Sequence, residues 1–474
     1  MKTSPSLTIP VVVACLLSLP AWSADKQPAL PKDLPPYGPL KPLQAKELKE
    51  SKLDNGLQVW LIPEKGFPKV AAALAVRGGY AADPKDRPGM ADLIAAAVTQ
   101  GTAKRSARQL AEQAQLAGGD LNAGATVDLM VIDTSVLAAN TQKAVELLAD
   151  IATNAAFADA EVEITKKNLS SALEAQEGEP SFLAERALYR ALFGDHPYAI
   201  TAPTQDSLAK TTAADLRREY RRRFRPDQAV LILVGEFDEQ TTSAAIKSAF
   251  NAWHAPAEPV LTPVAAPVAS RSQTVTYVPR AGSVQTTLAF GALTPSHTAP
   301  DYYSAAVANA IYGGMFGSRL ITNIREDKGY TYSPGARITP LREAGVLVTD
   351  ADVRNEVTAA SFNEIAYEMN RMASTAPTGK EVESAKRYLI GSMAIRSQSR
   401  ASVVRTLARL WSESLPPAEL WLAGAKIEHV SPANVEAAGR KYFPMSRMTM
   451  VAVGDEKVIK DSLAPFGLEF RKAQ

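Results

Sequence analysis

The sequence predicts an α+β protein of two homologous halves, each a mainly antiparallel sheet covered by helices on one face. Three observations carry this expectation. Thr212-Ala213-Ala214-Asp215-Leu216 leads through a helical pattern to Phe224, Pro226, the apolar run Ala229 to Val234, and Gly235-Glu236. The same order returns as Ser431-Pro432-Ala433-Asn434-Val435, then Phe443, Pro444, the run Met448 to Val453, and Gly454-Asp455, with an offset of 219 residues from Thr212 to Ser431 and from Phe224 to Phe443. A cap, an aromatic, a proline and a strand held in one register point to duplication. Strand-like and helix-like apolar periods are also mixed without regular βαβ alternation, which favours α+β over α/β. Finally, a proline-rich tract at 255–268 divides the chain into halves of similar size.

From the N-terminus, Lys2, an apolar run from Ile9 to Leu19 interrupted by Pro10 and Ser18, and Ala21-Trp22-Ser23 before Ala24 predict a signal peptide at 1–23. The mature chain is therefore expected to be exported, with the periplasm as its destination. Val12-Val13-Ala14-Cys15 superficially matches a lipoprotein box, but Leu16-Leu17-Ser18-Leu19 continues the hydrophobic run where a polar mature start is needed, so lipidation is the lesser alternative. No later run is long enough to span a bilayer. Cys15 is the only cysteine, which leaves an unlipidated mature chain without disulfides, thiolate metal sites or a thiol nucleophile.

Residues 24–46 form a proline-rich, extended leader. Domains are expected at 47–254 and 271–474, joined by a linker at 255–270. In the first half, Leu57 to Ile62, Val70 to Val76 and Val127 to Thr134 read as strands, with a turn at Asn55-Gly56. Helical patterns cover 89–99, 106–117, 140–154 and 160–176. Thr212 and Ser431 suit N-caps, because a short oxygen-bearing side chain can accept from free amides of the first turn.

The composition, 46% hydrophobic with a formal net charge of +2 over 474 residues, indicates a globular chain with ample core and gives no reason to expect a nucleic-acid partner. The basic run Arg217-Arg218-Glu219-Tyr220-Arg221-Arg222-Arg223 reads as a solvated helix face.

Two segments carry chemistry. The first is Gly89-Met90-Ala91-Asp92-Leu93-Ile94-Ala95-Ala96-Ala97-Val98-Thr99-Gln100-Gly101-Thr102. Its frame resembles the segment bearing the inverted zinc motif H-x-x-E-H in the insulinase/pitrilysin family of peptidases. Aligned on Gly89 and Gly101-Thr102, the first His falls on Asp92, the catalytic Glu on Ala95 and the second His on Ala96, while the third ligand, 76 positions on, falls on Ala172. Alanine supplies no lone pair, Glu174 would point off the ligand face, and a zinc site that activates water needs three ligands and a base. The segment is therefore expected to be an apolar core helix with no metal. His196, His254, His297 and His429, the only histidines, form no displaced copy.

The second is Gly313-Gly314-Met315-Phe316-Gly317-Ser318-Arg319-Leu320, continuing to Arg325-Glu326-Asp327-Lys328-Gly329-Tyr330-Thr331-Tyr332. It is similar to the same family's C-terminal motif, a glycine-rich turn, S-R-L, then R-E-x-x-G-x-x-Y. With Gly194-Asp195-His196-Pro197-Tyr198, the resemblance extends over about residues 50–460. It implies the mitochondrial-processing-peptidase-like metallohydrolase fold, and it matches Arg325 and Tyr332 to the pair that acts on substrate bound at the zinc of the other half. A guanidinium and a phenol can both donate hydrogen bonds to a carbonyl as it becomes an oxyanion. Gly329 is expected as the helix C-cap that turns Tyr332 back toward Arg325, with both facing a large polar cavity.

The resemblance implies the zinc-free subunit of an exported metallopeptidase, inactive alone, binding peptides and lending Arg325 and Tyr332 to an H-x-x-E-H partner that holds the zinc. The alternative is a non-proteolytic peptide-binding or scaffold protein with the same fold. A hydrolase built on Ser207 and Lys210 is disfavoured, because neither a K-T-G element nor a G-x-S-x-G motif is present.

Overall fold

The computed structural model describes Gly38 and residues 43–261, 264–268 and 274–473. The predicted signal peptide and most of the proline-rich leader lie outside the described residues. From Pro42 onward the chain is one compact unit.

The first sheet contains β1 (Lys49–Lys52), β2 (Gln58–Pro63), β3 (Lys69–Arg77), β4 (Leu121–Ala125), β5 (Leu129–Leu137) and β6 (Ala229–Gly235), in the order β1-β2-β6-β3-β5-β4. The second contains β7 (Thr274–Pro279), β8 (Gln285–Thr294), β9 (Gly335–Pro340), β10 (Gly345–Arg354), β11 (Thr449–Gly454) and β12 (Glu469–Lys472), in the order β12-β7-β11-β8-β10-β9. β6 and β11 take equivalent places: each runs parallel to one neighbour, β2 or β7, and antiparallel to the other, β3 or β8. The outer edges differ. β1 precedes the first sheet in sequence and is antiparallel, whereas β12 closes the second from the C-terminus and is parallel.

The predicted caps fold as matched capping boxes. Thr212 Oγ1 accepts from Asp215 N at 3.2 Å, while Asp215 Oδ2 accepts from Thr212 N at 3.0 Å. Ser431 and Asn434 repeat the exchange at 3.2 and 3.1 Å.

Covering the sheets on one face alone is where the sequence expectation fails. In the first sheet, Leu57, Val59, Leu61, Val70, Ala72, Leu74 and Val76 face the helices of their own half, among them Met90–Val98, Thr141–Asn154 and Glu239–Phe250. The alternate residues Trp60, Ile62, Ala71, Ala73, Ala75, Val230, Ile232 and Val234 are also buried, against Val403, Val404, Leu407 and Trp411 of helix Arg400–Ser412 from the second half. The exchange is reciprocal. Ala184, Leu188 and Leu192 of helix Pro180–Phe193, from the first half, pack on Ala289, Val346, Val348, Val451 and Val453 of the second sheet. Strands apolar at both alternating sets of positions have two faces to bury, and one helix from each half covers the second face of the other.

Ion pairs fix this exchange. Arg400 reaches Glu64 at 3.0 Å and the carbonyls of Phe67 and Lys69 at 2.6 Å; Arg405 holds both oxygens of Asp133 at 3.1 and 3.0 Å. In the other direction Arg337 holds Glu185 at 2.7 Å. Gly291 lets the helix approach: a Cβ there would lie 3.1 Å from three carbons of Leu188.

Candidate functional site

Ser318 caps the helix that begins at Arg319, accepting from Ile321 N at 3.4 Å, and the stretch Thr322–Asp327 is wound as π-helix. Wider turns of this kind are often found at functional sites. Gly329, at φ +61°, ends it: its N–H donates to Arg325 O at 3.1 Å and that of Tyr330 to Ile324 O at 2.9 Å. This reversal returns the chain over the last turn. The guanidinium carbon of Arg325 consequently sits 4.8 Å from the ring centroid of Tyr332 and 4.8 Å from that of Phe316. Arg325 Nε also pairs with Glu326 at 3.1 Å. Upstream, Gly314 admits the turn: a Cβ would lie 2.8 Å from Asn309 Nδ2.

Arg325 and Tyr332 are thus brought together, as the motif implies, but not inside a cavity of this chain. Tyr332 is 80% exposed and Phe316 63%. Tyr332 lies in the loop between the π-helix and β9, where its neighbours Thr331 and Pro334 are buried while it and Ser333 are exposed. Phe316 is the member of the cluster that sequence reasoning left without a role. Its position beside the glycine turn was the available signal.

At the other segment, Gly89 adopts φ +80° against Pro203, where a Cβ would fall 2.2 Å from Pro203 Cα. Helix Met90–Val98 follows, with Leu93, Ile94, Ala97 and Val98 in the core. Asp92 Oδ1 accepts from the Tyr80 hydroxyl at 2.7 Å; burial raises the Asp92 carboxyl above its ordinary range, and the Tyr80 hydrogen bond opposes the rise. Asp83 Oδ1 accepts from Ala91 N at 3.1 Å and holds Arg223 at 2.9 Å, in a fully buried pair. Burial pushes the Asp83 carboxyl up, and Arg223 pulls it back. Ala95 is buried, Ala172 and Glu174 are exposed, and Leu173 enters the core instead.

The residues at the zinc positions do not fit the ion. They offer one carboxylate, already hydrogen-bonded, and three methyl groups. Among the described residues no group of three His, Cys, Asp or Glu side chains could hold a metal. Tyr80 and Asp83, which organise this corner, were not singled out in the sequence because neither belongs to a ligand pattern.

Two other expectations are settled by partners. Lys210 pairs with Asp206 at 2.7 Å, and Ser207 is buried with its N–H donating to Thr204 Oγ1 at 3.1 Å, so the two form no nucleophile and base. The basic run is a solvated face only in part: Arg218, paired with Asp215 at 2.7 Å, and Arg221 are exposed, whereas Glu219, Tyr220 and Arg223 are buried, because Arg223 turns inward to Asp83; Arg217 donates to Phe157 O at 2.7 Å and Arg222 pairs with Glu219 at 2.6 Å.

Family comparison accords with this geometry. Residues 59–203 match the model for insulinase (peptidase family M16), and residues 210–389 match the model described as the peptidase M16 inactive domain. The chain belongs to the insulinase peptidase family. It is 25% identical over 384 residues to an "uncharacterized zinc protease" of Mycobacterium tuberculosis, covering 79% of this chain and 86% of that one. The "non-peptidase homolog" YmxG of Helicobacter pylori is also 25% identical, over 382 residues, with the same coverage of 79% and 86%. Among solved structures, the peptidase M16 inactive domain from Pseudomonas fluorescens superposes with a TM-score of 0.81 at 24% identity, covering 90% of this chain and all of that one. A chain of complex III2 from Candida albicans gives 0.75 at 19% identity, covering 88% and 97%. At these scores both share the overall fold of this chain. No helix among the described residues is long and apolar enough to cross a membrane.

Proposed function

We propose that this chain is the zinc-free subunit of an exported insulinase-family metallopeptidase, which binds peptides and supplies Arg325 and Tyr332 to the zinc site of a partner chain. The observation that carries the reading is the asymmetry of its two halves. Asp92, Ala95, Ala96 and Ala172 cannot assemble a hydrolytic metal site, whereas Arg325 and Tyr332 stand side by side, the tyrosine exposed and the arginine half-buried against its ring. Donors displayed on an open surface suit a substrate bound on a second chain, which would close over them and strengthen their hydrogen bonds by excluding water. β4 and β9, at corresponding ends of the two sheets, each pair with one neighbour among the described residues, so a peptide can add to either as a further strand.

The test is a quenched fluorescent peptide incubated with this chain, with an H-x-x-E-H relative encoded in the same genome, and with both. Hydrolysis only in the mixture supports the reading; full activity of the relative alone refutes it. The second reading, a non-proteolytic scaffold, is favoured by the Helicobacter relative, a non-peptidase homolog, and by the presence of this fold in complex III2 of Candida albicans. Co-purification of the chain with a partner that lacks a zinc motif would select it.

A further inference from the structure

Away from Arg325 and Tyr332, a cavity of about 450 Å³ opens where the two halves and the linker meet. Its floor includes Gly78 and Gly79, just beyond β3, and its walls include Val127, Val260 and Leu261. Gly78 keeps the floor flat: at φ +109°, a Cβ would fall 2.9 Å from Leu261 Cδ1 and 3.3 Å from Arg223 Cγ. Four arginines and one carboxylate, Asp128, line the space.

Two of the arginines are satisfied within the chain. Arg223 holds Asp83 at 2.9 Å and Glu219 at 3.2 Å, and Arg225 holds Asp227 at 2.6 Å. Arg77 is not. Among the described residues no carboxylate lies within ion-pair distance of it, and its buried Nε has no hydrogen-bond partner. Its Nη2 reaches Trp411 O at 3.2 Å and Ser414 Oγ at 3.4 Å, and its guanidinium lies 4.8 Å from the Trp411 ring centroid. Ser414 is held at φ +62°, a strained conformation for serine. Burial, and then the like charge of Arg342, hold Arg77 down to about 10, with Asp128 opposing them.

Among the described residues, the ion pairing of Arg342 is limited to a long contact of its Nε with Glu343 at 3.4 Å. Asp128 is occupied by uncharged donors: Tyr198 OH at 3.1 Å and the backbone N–H of Arg342 at 2.9 Å. Tyr198, from the family-like segment 194–198, also accepts from Glu343 N at 3.2 Å and so ties the two halves together at this point.

A half-buried guanidinium with no carboxylate in ion-pair reach is costly, and an anion is what would relieve it. The planar fork of arginine matches a carboxylate in two parallel hydrogen bonds. The aliphatic walls and the nearby Asp128 disfavour a hydrated phosphate dianion and favour a monoanion with a hydrocarbon part. We propose that this cavity binds a small apolar carboxylate, its oxygens on Arg77 and Arg342 and its hydrocarbon against Val127, Val260 and Leu261. The site is a property of this chain alone and stands whether or not the chain serves a peptidase.

The experiment is calorimetry on the mature chain without any partner, titrated with N-acetyl-leucine, N-acetyl-leucinamide, the tripeptide Ala-Ala-Leu and inorganic phosphate. Saturable binding of a carboxylate, but not of the amide or of phosphate, is expected. Arg77→Gln should weaken it about tenfold or more, the worth of a charge-assisted hydrogen bond. Because Arg77 also touches Trp411 and Ser414, a second variant guards against misfolding: Val260→Trp fills the cavity from a partly exposed position and should abolish binding at unchanged melting temperature. Relative affinities for N-acetyl-leucine and Ala-Ala-Leu distinguish a free acid from a peptide terminus, and either supports the site. Equal binding of acid and amide, binding of phosphate alone, wild-type affinity in Val260→Trp, or no binding of any carboxylate overturns it.

Discussion

The Tyr80 hydroxyl lies 2.7 Å from Asp92 Oδ1, so the one oxygen-bearing side chain at the zinc positions is already engaged within its own chain. With Ala95, Ala96 and Ala172 at the remaining positions, purified, undialysed protein should contain far less than one zinc per chain. Elemental analysis checks this. A ratio near one that falls on replacing Asp92 would show that the ligand assignment is wrong.

Arg325→Ala and Tyr332→Phe should each depress hydrolysis by a reconstituted pair about a hundredfold to a thousandfold, the usual cost of one oxyanion donor. Tyr332 is exposed and Arg325, half-buried, packs on the exposed rings of Phe316 and Tyr332 and not in the core, so neither substitution removes core packing. Assembly, followed by size-exclusion chromatography, should therefore be unchanged. Unaltered turnover in both variants would favour the scaffold reading.

Exchange of helices between the halves predicts one cooperative unit. Leu407→Ala, in a fully buried position on the exchanged helix Arg400–Ser412, should cost about 2–5 kcal/mol. The loss should be felt by both halves at once. Urea unfolding followed by fluorescence and by circular dichroism should give coincident transitions, shifted together; separate transitions would mean that the halves unfold independently.

Arg319 and the N-terminus of helix Gly379–Arg396 share one carboxylate. Burial would raise Glu381, but Arg319 at 2.6 and 3.1 Å and the Thr378 N–H and hydroxyl at 2.8 and 2.9 Å outweigh it, holding the group down to about 2. The folded form thus releases its proton more readily than the unfolded chain, whose glutamates titrate at about 4.3. Stability from this group is complete above about pH 4.3 and is lost as pH falls toward 2; because solvent screens this partly exposed pair, the contribution is about 1 kcal/mol. Glu381→Gln should accordingly be less stable than wild type at pH 7, with the gap narrowing near pH 3. A gap independent of pH would remove the linkage.

Much of the fold was legible because local rules agreed with the tertiary outcome. The strand and helix periods of the first half were visible, as were Thr212 and Ser431 as caps and the offset of 219 that places β6 and β11 in equivalent positions. β4 escaped notice because Leu121-Asn122-Ala123-Gly124-Ala125 has little β propensity; its place is set by pairing with β5. Helix Pro180–Phe193 went unassigned, although Pro180 at its first turn is a start signal.

By itself, the sequence determined the repeated order of elements, the side chains Asp92, Ala95, Ala96 and Ala172 at the positions aligned with the zinc motif, and the placing of Arg325 and Tyr332 in one segment. These are matters of residue identity and spacing along one chain. Only the tertiary structure decided that each half covers a sheet face of the other, that Tyr80 occupies Asp92, that Phe316 joins Arg325 and Tyr332, and that Arg77 is half-buried with no carboxylate among the described residues in ion-pair reach. Each depends on which atoms far apart in sequence meet. Periodicity specifies that a face is apolar and leaves open which element will bury it.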